Sequence, residues 1–107
     1  MTVDNLRFGL KESIIQNIKD VFSRYSEIEK AVIYGSRAKG NYRKGSDIDI
    51  TLFGDLTYAQ LNRIATQLDN LSLPYTIDLS LYNHIDTPDL IEHIHRVGHV
   101  FYLSPLT

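Results

Sequence analysis

The stretch Ile33-Tyr34-Gly35-Ser36-Arg37-Ala38-Lys39-Gly40-Asn41-Tyr42-Arg43-Lys44-Gly45-Ser46-Asp47-Ile48-Asp49-Ile50 decides how this chain folds. Its first residues finish an apolar run from Lys30 to Tyr34, and a continuous run of that length reads as a buried strand. Gly35-Ser36 follows, where a glycine lets the backbone turn tightly and come close to a ligand. The next residues, Arg37 to Lys44, carry four cations (Arg37, Lys39, Arg43 and Lys44) and no acid. Beyond Gly45-Ser46 the pattern changes to strict alternation from Asp47 to Phe53. Asp47, Asp49, Thr51 and Phe53 face one way, and Ile48, Ile50 and Leu52 the other. The reading is strand, basic loop or short helix, then a second strand punctuated by Gly54-Asp55.

Outward from this stretch, helices flank the strands. Leu6 to Tyr25 is expected to be a helix, with Leu10, Ile14, Ile18, Val21, Phe22 and Tyr25 on one face and Ile15 beside them. Downstream, Thr57 is placed to cap a helix whose apolar stripe is Leu61, Ile64, Ala65, Leu68 and Leu71. Pro74 opens a third strand, in which Tyr75, Ile77, Leu79 and Leu81 alternate with Thr76, Asp78 and Ser80. Thr87-Pro88 has the form of a helix start, with Leu90, Ile91, Ile94 and Val97 as its inner face and Gly98 as its stop. Val100 to Leu103 is either a closing strand or an apolar tail for a partner. Strands interspersed with amphipathic helices predict an α+β, two-layer fold: a small mixed β-sheet with helices packed mainly on one face.

At 107 residues the chain is expected to form one domain over residues 1–107. Hydrophobic residues are 43% and charged residues 22%, which excludes a disordered tail, a collagen-like chain and a coiled coil. A net charge of −2 gives no support to a general nucleic-acid binder. The absence of cysteine removes disulfides, thiolate zinc sites and cysteine nucleophiles. No apolar run approaches the roughly 18 residues of a membrane span, and the first residues lack the apolar core of a signal peptide. A cytoplasmic protein is expected. A chain of this length is expected to leave no room for a separate substrate-binding domain, so a homo- or hetero-oligomer is expected to complete an enzyme site.

The chemistry lies in three aspartates. Asp47 and Asp49, two apart on a strand, project from one face about 7 Å apart and repel if that face is dry. A divalent cation resolves the conflict, and magnesium binds through one or two carboxylates while sharing its other positions with water and phosphates. Asp78, on the third strand, can complete such a site or act as a base. Alone, each aspartate reads as a solvated strand face. Their grouping with the Gly35-Ser36 turn, after ten intervening residues, favours a site. Arg37 and Lys44 are the preferred cations for neutralising phosphate, while Lys39 reads as solvated. His84, His93, His95 and His99 read as surface or subunit-contact residues, since His93 and His95 fall on different helix faces and make a poor metal pair. Tyr34, Tyr75 and Tyr82 read as core or sheet-edge residues, and Tyr42 as a loop residue within reach of a base.

Gly35-Ser36-Arg37-Ala38-Lys39-Gly40 followed by Ser46-Asp47-Ile48-Asp49-Ile50 resembles the motif of the DNA polymerase beta-like nucleotidyltransferase superfamily. The short chain and the Gly-Ser-Arg-Ala-Lys-Gly form are similar to the minimal nucleotidyltransferases, antitoxins paired with HEPN-domain toxins. The resemblance implies the nucleotidyltransferase fold, with nucleotide phosphates held at Gly35 and Ser36 and two magnesium ions bound by Asp47 and Asp49. It implies that Asp78 shares the catalytic metal and helps deprotonate the nucleophile. It further implies transfer of AMP from ATP to a tyrosine hydroxyl of the partner toxin. Two rival readings stay open at this point: an antitoxin that binds nucleotide but works by complex formation alone, and a transferase acting on a small molecule. Nucleic acid is not expected as a direct substrate.

Overall fold

The computed structural model describes residues 6–105. Helix α1 (Glu12–Phe22) leads into β1 (Ile28–Tyr34), a five-residue helix α2 (Gly35–Lys39) and β2 (Ile48–Gly54). Helix α3 (Tyr58–Asp69), strand β3 (Ile77–Leu81), helix α4 (Pro88–Val97) and strand β4 (His99–Leu103) follow, with a single 3₁₀ turn at Tyr82–His84 between β3 and α4. The four strands make one sheet in the order β3-β2-β1-β4. Strand β1 runs antiparallel to both of its neighbours, while β2 and β3 are parallel. The sheet is mixed, as expected.

Its two faces are filled differently. Ile33, Ile48, Ile50 and Leu52 join Ile15, Ile18, Phe22, Ile64 and Leu68 in the main core, so α1 and α3 cover one face. Fully burying a side chain such as Phe22 is worth about 1.5–3 kcal/mol. On the other face Val32 and Tyr34 pack with Ile94 of α4, joined by Phe53, Tyr82, Leu90 and Val97. The central strand is therefore covered on both sides, which explains its unbroken apolar run.

Several boundaries differ from the sequence reading. The first helix begins at Glu12, not Leu6. Phe8 and Gly9 both take positive φ (58° and 71°), and residues 7–10 close a tight turn in which Arg7 and Leu10 exchange backbone hydrogen bonds of 3.1 and 2.8 Å. Left-handed backbone cannot continue a right-handed helix. Leu10 is still buried, but from that turn rather than from the helix. The third strand starts at Ile77 rather than at Pro74. Thr57 caps α3 as expected: its hydroxyl accepts from the Gln60 N–H, and the Gln60 side chain accepts from the Thr57 N–H. Thr87 precedes α4 without a side-chain cap, and Pro88 at the first turn is what marks that start. Residues 99–103 are a strand, which resolves the choice between strand and tail. Among the described residues no helix is long and apolar enough to cross a membrane.

Candidate active site

Strand register assembles the aspartates. Asp49 pairs with Asp78 across the parallel β2–β3 contact and with Tyr34 across the antiparallel β1–β2 contact. Residues paired in register share a face, so Tyr34, Asp49 and Asp78 stand side by side on the α4 side of the sheet. Asp47 precedes β2 by one residue and lies two positions from Asp49, near enough for its charge to act on that carboxyl. Asp49 is half-buried, whereas Asp47 and Asp78 are exposed.

The electrostatics follow from this crowding. Burial, then the charges of Asp78 and Asp47, push the Asp49 carboxyl above its usual range, and His93 acts in the opposite direction. Burial also raises the Tyr34 phenol, with Asp78 and Asp49 adding to the rise and the Ser80 hydroxyl opposing it. Such a set favours a cation. The donors are oxygens of the hard kind that magnesium takes, and their mutual repulsion is what a bound cation would relieve. Among the described residues the three do not converge on one ready-made ligand cluster. Magnesium needs only one or two protein carboxylates, the rest coming from water and substrate phosphate. Asp47 and Asp49 are the pair that would hold it, with Asp78 beside Asp49.

Gly35 closes the other side. It has φ +73°, and a Cβ placed there would collide with the Asp49 carboxylate. Only glycine lets the turn after β1 sit directly against that group. Ser36 follows, half-buried, in the first turn of α2.

Of the two preferred cations, Lys44 is exposed and Arg37 is turned inward. Arg37 does not face outward toward a phosphate position; it is 2% exposed. Its Nε donates to the Ser46 carbonyl at 3.0 Å and its Nη1 to the Phe8 carbonyl at 2.9 Å. The ring of Tyr75 lies 4.7 Å from the guanidinium carbon and that of Tyr42 5.2 Å from it. Tyr42 therefore packs one face on Arg37 while staying exposed. Lys44 is exposed in the turn that runs from Arg43 to Ser46, three residues before Asp47.

One site residue was misread in the sequence. His93, which the sequence reads as a surface or subunit-contact residue, is half-buried, and its Nε2 accepts from the Gly35 N–H at 3.2 Å. Its ring meets Tyr34 edge-on with centroids 6.1 Å apart. The available signal was its place next to Ile94, the buried residue that anchors α4 on the sheet. Neither periodicity nor composition says that α4 crosses the end of β1. His95 is exposed, with its Nε2 2.6 Å from the Tyr82 hydroxyl, and His99 is exposed beside Phe8.

With this geometry in place, comparison with known proteins gives the class. The family described as "Polymerase beta, Nucleotidyltransferase" matches residues 16–105. The chain belongs to that nucleotidyltransferase family. A candidate protein adenylyltransferase of Methanocaldococcus jannaschii is 32% identical over 59 residues, which are 54% of this chain and 59% of that protein. The chain thus spans about three-fifths of that relative's length. Among solved structures, a toxin–antitoxin complex with AMP-PNP superposes with a TM-score of 0.69 at 18% identity, covering 86% of this chain and 75% of the other. A tri-AMPylated HEPN toxin of Shewanella oneidensis in complex with its MNT antitoxin matches with a TM-score of 0.65 at 15% identity, over 89% and 74% of the two chains. At these identities the structural matches establish the shared fold.

Proposed function

We propose that this protein is a magnesium-dependent nucleotidyltransferase that moves AMP from ATP to a hydroxyl acceptor, a tyrosine of a partner HEPN-domain toxin, and so acts as an antitoxin in the cytoplasm. The observation that carries the reading is the register pairing of Asp49 with Asp78 directly against the Gly35-Ser36 turn. The structural relatives support the choice of donor and acceptor, since one complex holds AMP-PNP and another contains a toxin that is AMPylated three times.

The chemistry divides among named residues. Asp47 and Asp49 would hold magnesium, which would supply charge neutralisation for the triphosphate and acidity for the acceptor hydroxyl. The Gly35-Ser36 turn orients the phosphates against those carboxylates, with Ser36 as a hydroxyl donor. Asp78, exposed at the open edge of the group, accepts the proton of the acceptor hydroxyl. The acceptor oxygen bonds to the α-phosphorus as the bond to the bridging oxygen breaks and pyrophosphate leaves. Lys44, exposed three residues before Asp47, neutralises the departing charge.

Intact mass spectrometry tests this directly. The protein, purified with the product of its neighbouring gene and supplied with magnesium and ATP, should add one or more AMP groups to that partner. Asp47→Asn should abolish the addition. A partner that is silenced in a stable complex without gaining mass would replace transfer with binding as the mechanism.

A further inference from the structure

The ten residues between Ser36 and Asp47 must bring a phosphate turn and a metal ligand to one place, and something has to close that loop. Arg37 is the residue in position to do so. From α2 its Nε holds the Ser46 carbonyl, which belongs to the peptide bond leading into Asp47. On the other side of Asp47, the Ile48 N–H donates to the Thr76 carbonyl at 2.9 Å. Tyr75, the residue before Thr76, lies over the Arg37 guanidinium. Asp47 is thus bracketed, and the segment entering Asp78's strand is joined to the same bracket. The tip of the loop is locked separately, since Ser46 and Arg43 bond to each other at 3.0 and 2.8 Å.

A second anchor comes from the N-terminal turn. The Phe8 carbonyl accepts from Nη1, and Phe8 has the positive φ that a bulky residue rarely adopts. A Cβ on Gly9 would collide with Tyr42 and approach Arg37 Nη1 to 2.9 Å. The guanidinium is therefore enclosed by two carbonyls and two ring faces. Among the described residues it makes no ion pair. Burying an unpaired cation is expensive, so its surroundings must be matched to it. A guanidinium meets that demand because it donates in several directions in one plane while its faces stack; an ammonium does neither.

We infer that Arg37 is a positioning residue for the metal carboxylates: it sets Asp47 against Asp49 and the Ser36 turn by pinning the Ser46 carbonyl, and it does not contact phosphate. This rests on the nucleotidyltransferase reading of the site, but its test does not depend on transfer.

The probe is Mn²⁺, whose binding to the whole protein is read by electron paramagnetic resonance without nucleotide or acceptor. Arg37→Lys and Arg37→Met, checked for native circular dichroism, should both weaken Mn²⁺ binding by roughly 10–100-fold, the range typical of groups that orient metal ligands. Unchanged Mn²⁺ affinity in both variants would overturn the proposal, as would full rescue by lysine accompanied by weaker ATP binding. The wild-type protein supplies a reading that survives misfolded variants. Its Arg37 Nε–H resonance should be protected from exchange and should stay in place when ATP is added without metal; a large shift would make Arg37 a phosphate ligand. Wild-type protein that binds Mn²⁺ but transfers no AMP would remove the proposed activity and leave the positioning role standing.

Discussion

The two faces of the sheet are made by the same strands and have opposite characters. Toward α1 and α3, the residues Ile33, Ile48, Ile50 and Leu52 are closed off almost completely. Toward α4, the alternate positions are Tyr34, Asp49 and Thr51, with Asp78 beside Asp49 on β3. Two helices seal the first face and one helix partly covers the second. The closed face provides the apolar burial that holds the sheet together. The half-open face can then carry like charges, whose repulsion raises the Asp49 carboxyl above its usual range. The division of labour is set by a period of two along β2, with Ile48 and Ile50 inward and Asp47 and Asp49 outward.

This contrast can be broken from either side. The largest effect is expected on the closed face. Phe22→Ala should cost about 3–5 kcal/mol in urea denaturation, a large part of a small domain's stability, while the rate of AMP transfer per folded molecule stays near wild type. A parallel loss of rate in the fully folded variant would mean the faces are not independent.

At the boundary between the faces, Gly35→Ala should cost about 1–2 kcal/mol for the left-handed backbone alone. It should also displace the Asp49 carboxylate, so transfer falls further than stability does. Thermal melts and a mass-spectrometric rate would separate these effects. A variant with normal rate would show that the Asp49 position tolerates the intrusion.

The smallest effect sharpens the electrostatic half of the comparison. The folded state raises the Asp49 pKa above the ordinary carboxylate value through burial and the charges of Asp78 and Asp47. The folded state therefore binds that proton more tightly than the unfolded state. Its stabilising contribution is present below the unfolded pKa and is lost as pH rises through the folded pKa. In chelator-treated protein, Asp49→Asn should raise the urea midpoint at pH 7, and the gain should shrink as pH falls toward about 4; with magnesium restored, the same variant should transfer no AMP. A midpoint at pH 7 equal to or below the wild-type value would show that the repulsion is already relieved in the absence of metal.

Much of the fold was legible because its signals are local. Thr57 and Gln60 form their capping box across one turn, and the alternation in β2 names its own inner and outer faces. The error at Leu6 to Tyr25 had a local cause as well. An apolar spacing of three and four continues through Leu10, but Phe8 and Gly9 adopt left-handed backbone that spacing cannot register. The site was legible only in part. Asp47 and Asp49 announce themselves because they lie two residues apart in one alternating stretch, although the strand itself begins at Ile48. His93 reaches Gly35 across 58 residues of sequence, and no periodicity reports such a contact. Arg37 shows the reverse failure: a cation inside a basic loop reads as solvent-facing or phosphate-facing, yet two tyrosines and two carbonyls draw it inward.

By itself the sequence determined that β1, β2 and β3 become strands, which face of β2 carries carboxylates, and that a glycine-serine turn precedes them. These depend on the pleat, on helix periodicity and on turn preferences, all of which act over a few residues. Tertiary structure alone decided that β3 lies parallel to β2 with Asp78 on Asp49, that α4 brings His93 to Gly35, and that Arg37 points into the protein. Those outcomes depend on strand order and on how helices cross the sheet. Both are settled by the burial of surfaces distant in sequence, where the free energy belongs to the assembled core and not to any one segment.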